Sequence, residues 1–294
     1  MNQNKDNRVK YIVWIFIPCV LAVVLQNIAS FIVIEGSAAY ALGSFKGKTW
    51  DSLMDYLIKM MLSSVTNGII YVIYSVVGIG IFAACYNKMF MKNKTYSLKG
   101  ISKNIPFTVA GLLMFCIGMQ YVSMFLMNAI GTAFPTLLEE YESILESAGI
   151  TDEITFLMAV YAVFLGPVVE ELIFRGVTFS AAKKVMPYYM AIIVQALLFG
   201  AFHLNVIQGC YAFVLGLGLG YIMHMYDNIL LTIFVHILFN IVGTFFSESL
   251  PFSGDTIISF FFSVLFALIV TYGGLLLLKR GSASVKEEDN LADI

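Results

Sequence analysis

YIVWIFIPCVLAVVLQNIASFIVI, residues 11–34, runs its whole length without Asp, Glu, Lys, Arg or His. A helix crosses the ~30 Å hydrocarbon core of a bilayer with about 20 mostly apolar residues, because every backbone polar group must be satisfied within the segment where no water is available. The stretch is long enough to span. It also exceeds the ~7–15-residue apolar region of a secretory signal, although Ala39-Tyr40-Ala41 imitates a cleavage site. An uncleaved helix is therefore expected. The same criterion places further spans at residues 65–87, 106–130, 154–182, 188–204, 207–224, 228–246 and 256–278. The fold class that follows is all-α, a polytopic transmembrane helical bundle of about eight spanning helices.

Composition agrees with these segments. The 294 residues are 60% hydrophobic and 12% charged, with mean hydropathy +0.86. A soluble domain carries ~25% charged residues, so a soluble globular protein is excluded. The balance of 17 Lys+Arg against 19 Asp+Glu leaves net charge -2. No basic surplus exists to neutralise a phosphate backbone, so no nucleic-acid partner is expected. Cys19, Cys85, Cys116 and Cys210 are scattered through apolar runs without a C-x-x-C pair. They read as hydrophobes rather than metal or redox ligands.

Positive charge is retained on the cytoplasmic side of a membrane. With the N-terminus inside, the inner segments carry Lys5, Arg8, Lys10, Lys88, Lys92, Lys94, Lys99, Lys103, Lys183, Lys184, Lys279, Arg280 and Lys286, whereas the outer ones carry Lys46 and Lys48, with Lys59 assignable to neither side and Arg175 inside a span. Both termini are expected in the cytoplasm. Compact loops and the absence of organelle signals point to a bacterial plasma membrane. Four regions are expected: N-terminal helices in 1–130, an acidic extracytoplasmic interfacial segment in 131–153, four helices carrying the polar residues in 154–246, and a last helix with a polar tail in 247–294. In the second region Leu137, Leu138, Tyr141, Ile144 and Leu145 recur at helical spacing beside Glu139, Glu140, Glu142 and Glu146.

Ionisable side chains inside spanning helices cost several kcal/mol and usually face an interior cavity. The densest group is Glu170-Glu171-Leu172-Ile173-Phe174-Arg175, between Pro167 and Gly176. Glu171 and Arg175 are set four apart with the acid first, the better order for a helical ion pair. Glu170 points ~100° away and lacks that partner. Phe199 and His203 share one helix face, as do His236 and Asn240. With ~1.5 Å of rise per residue, Glu170 and His203 lie ~20–25 Å from the hairpin near Pro187, and Asn240 lies ~20 Å from the turn near Tyr226 and Asp227. The polar side chains of three helices thus share one layer. Gly216 and Gly220 form a G-x-x-x-G that permits close helix packing. His224, Tyr226 and Asp227 read as turn residues.

A carboxylate facing an imidazole can hold and deprotonate a water, while a second imidazole and an amide can stabilise a tetrahedral oxyanion. That chemistry suits an acyl hydrolase, most simply a peptidase. The H-E-x-x-H of zinc proteases and the G-x-S-x-G elbow of serine hydrolases are both absent. Gly100-Ile101-Ser102 lies in a basic loop, and Tyr226-Asp227 lacks the G-x-G-D companion of intramembrane aspartyl proteases.

Glu170-Glu171-x-x-x-Arg175, Phe199-x-x-x-His203 and His236-x-x-x-Asn240, in this order on successive helices, resemble the three motifs of the CAAX protease and bacteriocin-processing family of intramembrane endopeptidases. The resemblance covers roughly residues 167–240. It implies that Glu170 and His203 activate water, that His236 and Asn240 stabilise the oxyanion, and that Glu171, Arg175 and Phe199 support the site. No cofactor is expected under direct activation by glutamate. The alternative is zinc held by Glu170, His203 and His236 with an open fourth position. The expected partners are the lipid bilayer and a membrane-associated peptide or protein substrate. Two other functions compete: a non-enzymatic immunity or scaffold protein whose polar layer glues helices together, and a transporter, which the missing internal repeat disfavours.

Overall fold

The computed structural model describes residues 2–92, 103–148, 154–246 and 256–282. The expectations for Lys94, Lys99, the Gly100-Ile101-Ser102 stretch, Lys286 and most of the polar tail lie outside the described residues. The chain is all-helical: α1 (Asn2–Ser44), α2 (Trp50–Met61), α3 (Ser64–Phe90), α4 (Ile105–Ala133) and α5 (Pro135–Ala148) precede the motif helices. The second half holds α6 (Phe156–Ala182), α7 (Tyr188–Phe202), α8 (Val206–Tyr226), α9 (Ile229–Phe245) and α10 (Ile257–Gly281).

Among the described residues, six helices are long and apolar enough to cross a membrane, and two shorter apolar helices accompany them. The short pair is α7, with 15 residues, and α9, with 17. At ~1.5 Å per residue they reach only about 22 and 25 Å. They are the helices that end at or carry His203, His236 and Asn240. Two features go beyond the expected spans. The first span is not confined to residues 11–34, because α1 continues helically through 43 residues, which is about 64 Å at ~1.5 Å each. The sequence also hid α2, an amphipathic helix N-capped by the Thr49 hydroxyl and too short for a span.

Close approach of backbones builds the bundle. A Cβ added to Gly111 of α4 would lie 2.8 Å from the Gly274 carbonyl of α10, and one added to Gly200 of α7 would lie 2.6 Å from the Gly209 carbonyl of α8. Without a hydrophobic driving force between helices in lipid, such small-residue contacts supply the packing that holds pairs together. Gly216 and Gly220, singled out by their spacing, rest on Ala196 and on Gln195 of α7. The acidic α5 forms as the periodicity requires. It is pinned by Asn67 Nδ2 donating to Ser147 O at 2.8 Å and by a 3.3 Å hydroxyl contact between Tyr141 and Tyr211 of α8.

The motif helix α6 is not a uniform α-helix. Wider π-helical turns occupy Tyr161–Leu165 and Leu172–Phe179, on either side of the α-helical Gly166–Glu171. Such turns recur at functional sites because they re-aim side chains and release carbonyls. Pro167 explains one released carbonyl. Gly166 N–H bonds to Tyr161 O in the π register, and the next bond of that register would run from residue 167 to Ala162 O. Proline has no N–H to give. Asn240 of α9 supplies the missing donor, with Nδ2 at 2.7 Å from Ala162 O.

Candidate active site

Glu171 is the electrostatic hub of the bundle. Its side chain is fully buried, and one carboxylate oxygen, Oε1, accepts from Arg175 at 2.8 Å and from His236 Nδ1 at 2.9 Å. The expected i, i+4 pair therefore forms, from the end of the α-helical stretch into the π-helical one. The Arg175 guanidinium also lies 4.5 Å over the Phe199 ring, a cation–π contact that desolvation strengthens. Phe199 in turn meets both histidines edge-on, with centroids 5.1 Å from His203 and 5.7 Å from His236. This one aromatic ring touches Arg175 and both imidazoles.

Glu170 points elsewhere, as its ~100° offset requires. Its Oε2 lies 3.7 Å from His236 Nε2, and its side chain retains 12% exposure against none for Glu171. Adjacent glutamates thus have different surroundings: one is held by a cation and an imidazole, while the other faces an imidazole across a gap. His203 caps the C-terminal end of α7 and places Nδ1 2.9 Å from Phe199 O. It lies within electrostatic reach of Glu170 and His236. The next residue, Leu204, adopts φ 54, in the left-handed region that L side chains rarely enter. That turn redirects the chain into α8 directly after the histidine.

Hydrogen-bond partners settle the imidazole tautomers. Carbonyls and ionised carboxylates only accept. Nδ1 therefore carries the proton in both His203 and His236, and in the neutral ring Nε2 is left as an acceptor. The sequence had set Glu170 beside His203 and His236 beside Asn240; in the folded chain the imidazole contact of Glu170 is with His236, and Asn240 holds Ala162 O. Among the described residues, no three His, Cys, Asp or Glu side chains converge on a common point that could hold a metal ion.

Several neighbours carried no motif. Tyr74 of α3, Tyr161 of α6 and Tyr211 of α8 all lie within electrostatic reach of Glu170. Tyrosines in apolar helices read as interface anchors, and no spacing distinguishes these three. Pro167 was visible only as a flank of the acidic pair. The other early assignments hold a structural place: Tyr226 donates to Leu278 O at 2.8 Å, His224 stacks on Tyr188 at 4.0 Å, and Asp227 caps α8 in the left-handed region. The four cysteines are free.

Residues 152–242 match the family model of type II CAAX prenyl endopeptidase Rce1-like proteins. The match contains all three motifs, from Glu170 to Asn240. No curated protein and no solved structure matches the chain.

Proposed function

We propose that the chain is an intramembrane endopeptidase in which Glu170 activates water for hydrolysis of a peptide bond in a membrane-associated substrate. The observation that carries this reading is the 3.7 Å gap between Glu170 Oε2 and His236 Nε2. Both atoms are acceptors when the imidazole is neutral, and a single water can donate one hydrogen to each. That leaves a water lone pair free to attack. The family match over residues 152–242 supports the same reaction class.

In the proposed reaction the water oxygen bonds to the scissile carbonyl carbon as Glu170 takes its proton, and the carbonyl π electrons move onto oxygen. Collapse of the tetrahedral intermediate breaks the C–N bond, and Glu170 returns the proton to the leaving amine. His203 Nε2 is an alternative acceptor for the second hydrogen of the water. Glu171 fixes the tautomer and orientation of His236, in the role of a carboxylate behind a catalytic imidazole. Asn240 keeps a second amide hydrogen for the oxyanion beyond the one given to Ala162 O. The distribution of Lys and Arg supports an orientation with both termini cytoplasmic and α5 on the opposite side.

The test is Glu170→Gln in purified protein reconstituted into vesicles, assayed with a pool of internally quenched peptides. Glutamine keeps the shape but not the basicity, so cleavage should vanish while the variant stays folded and monodisperse. Near-normal turnover would remove Glu170 from the chemistry and leave a packing role for the polar layer.

A further inference from the structure

The oxyanion of the proposed reaction needs hydrogen-bond donors, and the motif residues supply few. His203 and His236 spend their Nδ1 protons on Phe199 O and Glu171, and Asn240 spends one amide hydrogen on Ala162 O. A neutral imidazole Nε2 accepts and cannot donate. One amide hydrogen of Asn240 remains, and a further candidate donor lies outside the three motifs, on α3.

The helix α3 lies outside the family match and packs along α6. Its contacts advance together: Gly68 against Leu157, Tyr71 stacked on Tyr161 with centroids 4.5 Å apart, Gly78 against Val169, and Tyr86 against Gly176. The two helices are therefore parallel. A Cβ at Gly78 would meet Val169 Cγ2 at 2.8 Å, so α3 is pressed onto α6 one residue from Glu170. Tyr74 is bracketed by the Tyr71 and Gly78 contacts, one helical turn from each, on the face toward α6. Side chains lean toward the N-terminus of their helix, so Tyr74 and Glu170 lean the same way along parallel helices.

Tyr74 is 2% exposed, and its hydroxyl is buried without a hydrogen-bond partner among the described residues. A buried hydroxyl in that state destabilises the resting protein, and such groups persist where they have another task. Its closeness to Glu170 is also felt electrostatically. By contrast, the Tyr211 hydroxyl is engaged with Tyr141.

We propose that Tyr74 is a further catalytic residue, its phenol O–H donating a hydrogen bond to the oxyanion that forms when water adds to the scissile carbonyl. The proposal rests on Glu170 being the base. The phenol keeps its proton throughout: the water proton goes to Glu170 and then to the leaving amine, and Tyr74 only strengthens a hydrogen bond as charge develops. The N-terminal half of the chain would thus complete a site whose other residues all lie between α6 and α9.

The test compares Tyr74→Phe, Tyr71→Phe and Glu170→Gln in one assay, using the cleaved member of the quenched peptide pool. Loss of an oxyanion donor acts on the transition state, so Tyr74→Phe should lower kcat by about 10²-fold with KM unchanged. Because the hydroxyl has no resting partner, the thermal midpoint should be equal to or above that of the parent. Tyr71→Phe should keep parental turnover. Parental kcat in Tyr74→Phe, a loss confined to KM, or a lowered midpoint would each overturn the assignment, the last by revealing a structural partner. If Glu170→Gln still cleaves, the reading of the whole site falls. If Glu170→Gln is inactive and Tyr74→Phe is as fast as the parent, only the role of Tyr74 falls.

Discussion

Arg175→Met leaves the fully buried Glu171 carboxylate without its cation while nearly preserving side-chain volume. Breaking a buried ion pair from one side costs about 3–5 kcal/mol, because the remaining charge stays desolvated. Loss of the cation–π contact with Phe199 adds about 0.5–2 kcal/mol. Arg175 Nε and Nη2 have no partner among the described residues, which offsets part of this loss. The His236 imidazole remains on Glu171 Oε1 and keeps part of its stabilisation. The net expectation for the single variant is a loss of about 3 kcal/mol, within the range for a broken buried pair. Glu171→Gln on the Arg175→Met background removes the orphaned charge. Stability should then return to within about 1–2 kcal/mol of the parent, since a buried pair is often no more stabilising than its neutral replacement. Activity should not return with it, because a glutamine behind His236 no longer provides a charged acceptor for Nδ1. Chemical denaturation in detergent of the parent, both single variants and the double variant gives the coupling energy directly. Additive losses in the double variant would refute the hub role of Glu171, as would an Arg175→Met variant as stable as the parent.

Three further outcomes follow from the same geometry. Asn240→Leu should destabilise the chain by about 1–3 kcal/mol by leaving Ala162 O unpaired, and Pro167→Ala should suppress part of that loss by restoring a backbone N–H; a double-mutant denaturation cycle without coupling would contradict this. Gly200→Ala forces a methyl against the Gly209 carbonyl and should cost about 1–3 kcal/mol while displacing His203, read as a lower thermal midpoint together with reduced turnover; a neutral variant would show that α7 and α8 can separate freely. Elemental analysis of active protein should find substoichiometric metal, and a strong chelator should leave cleavage intact; one tightly bound zinc whose removal and return switch activity off and on would reverse the choice of mechanism.

Much of the site was legible because charge inside an apolar helix is expensive and therefore conspicuous. Glu171 and Arg175 declared their pairing by i, i+4 spacing, and His236 and Asn240 declared a shared face. What each polar atom contacts was less legible. Spacing placed His203 level with Glu170, yet the imidazole nearest Glu170 belongs to His236, because relative rotation of packed helices depends on contacts such as Gly200 on Gly209 that a single helix does not encode. Asn240 was read as an oxyanion donor from its motif; its bond to Ala162 O depends on a π-helical turn that hydropathy does not reveal.

By itself the sequence determined the membrane-spanning all-α class, the approximate helix ends and the residues too polar for a bilayer to tolerate without a reason. Those properties are local: they follow from the length of an apolar run, from the cost of an unsatisfied backbone and from the 3.6-residue repeat. Tertiary structure alone decided that α1 continues well beyond its apolar run, that α3 lies parallel to the motif helix, and that the Tyr74 hydroxyl is buried without a partner among the described residues. It also decided which nitrogen of each histidine is spent. These are relations between segments distant in the chain, set by which small residues let two backbones touch and by which buried donor finds which acceptor.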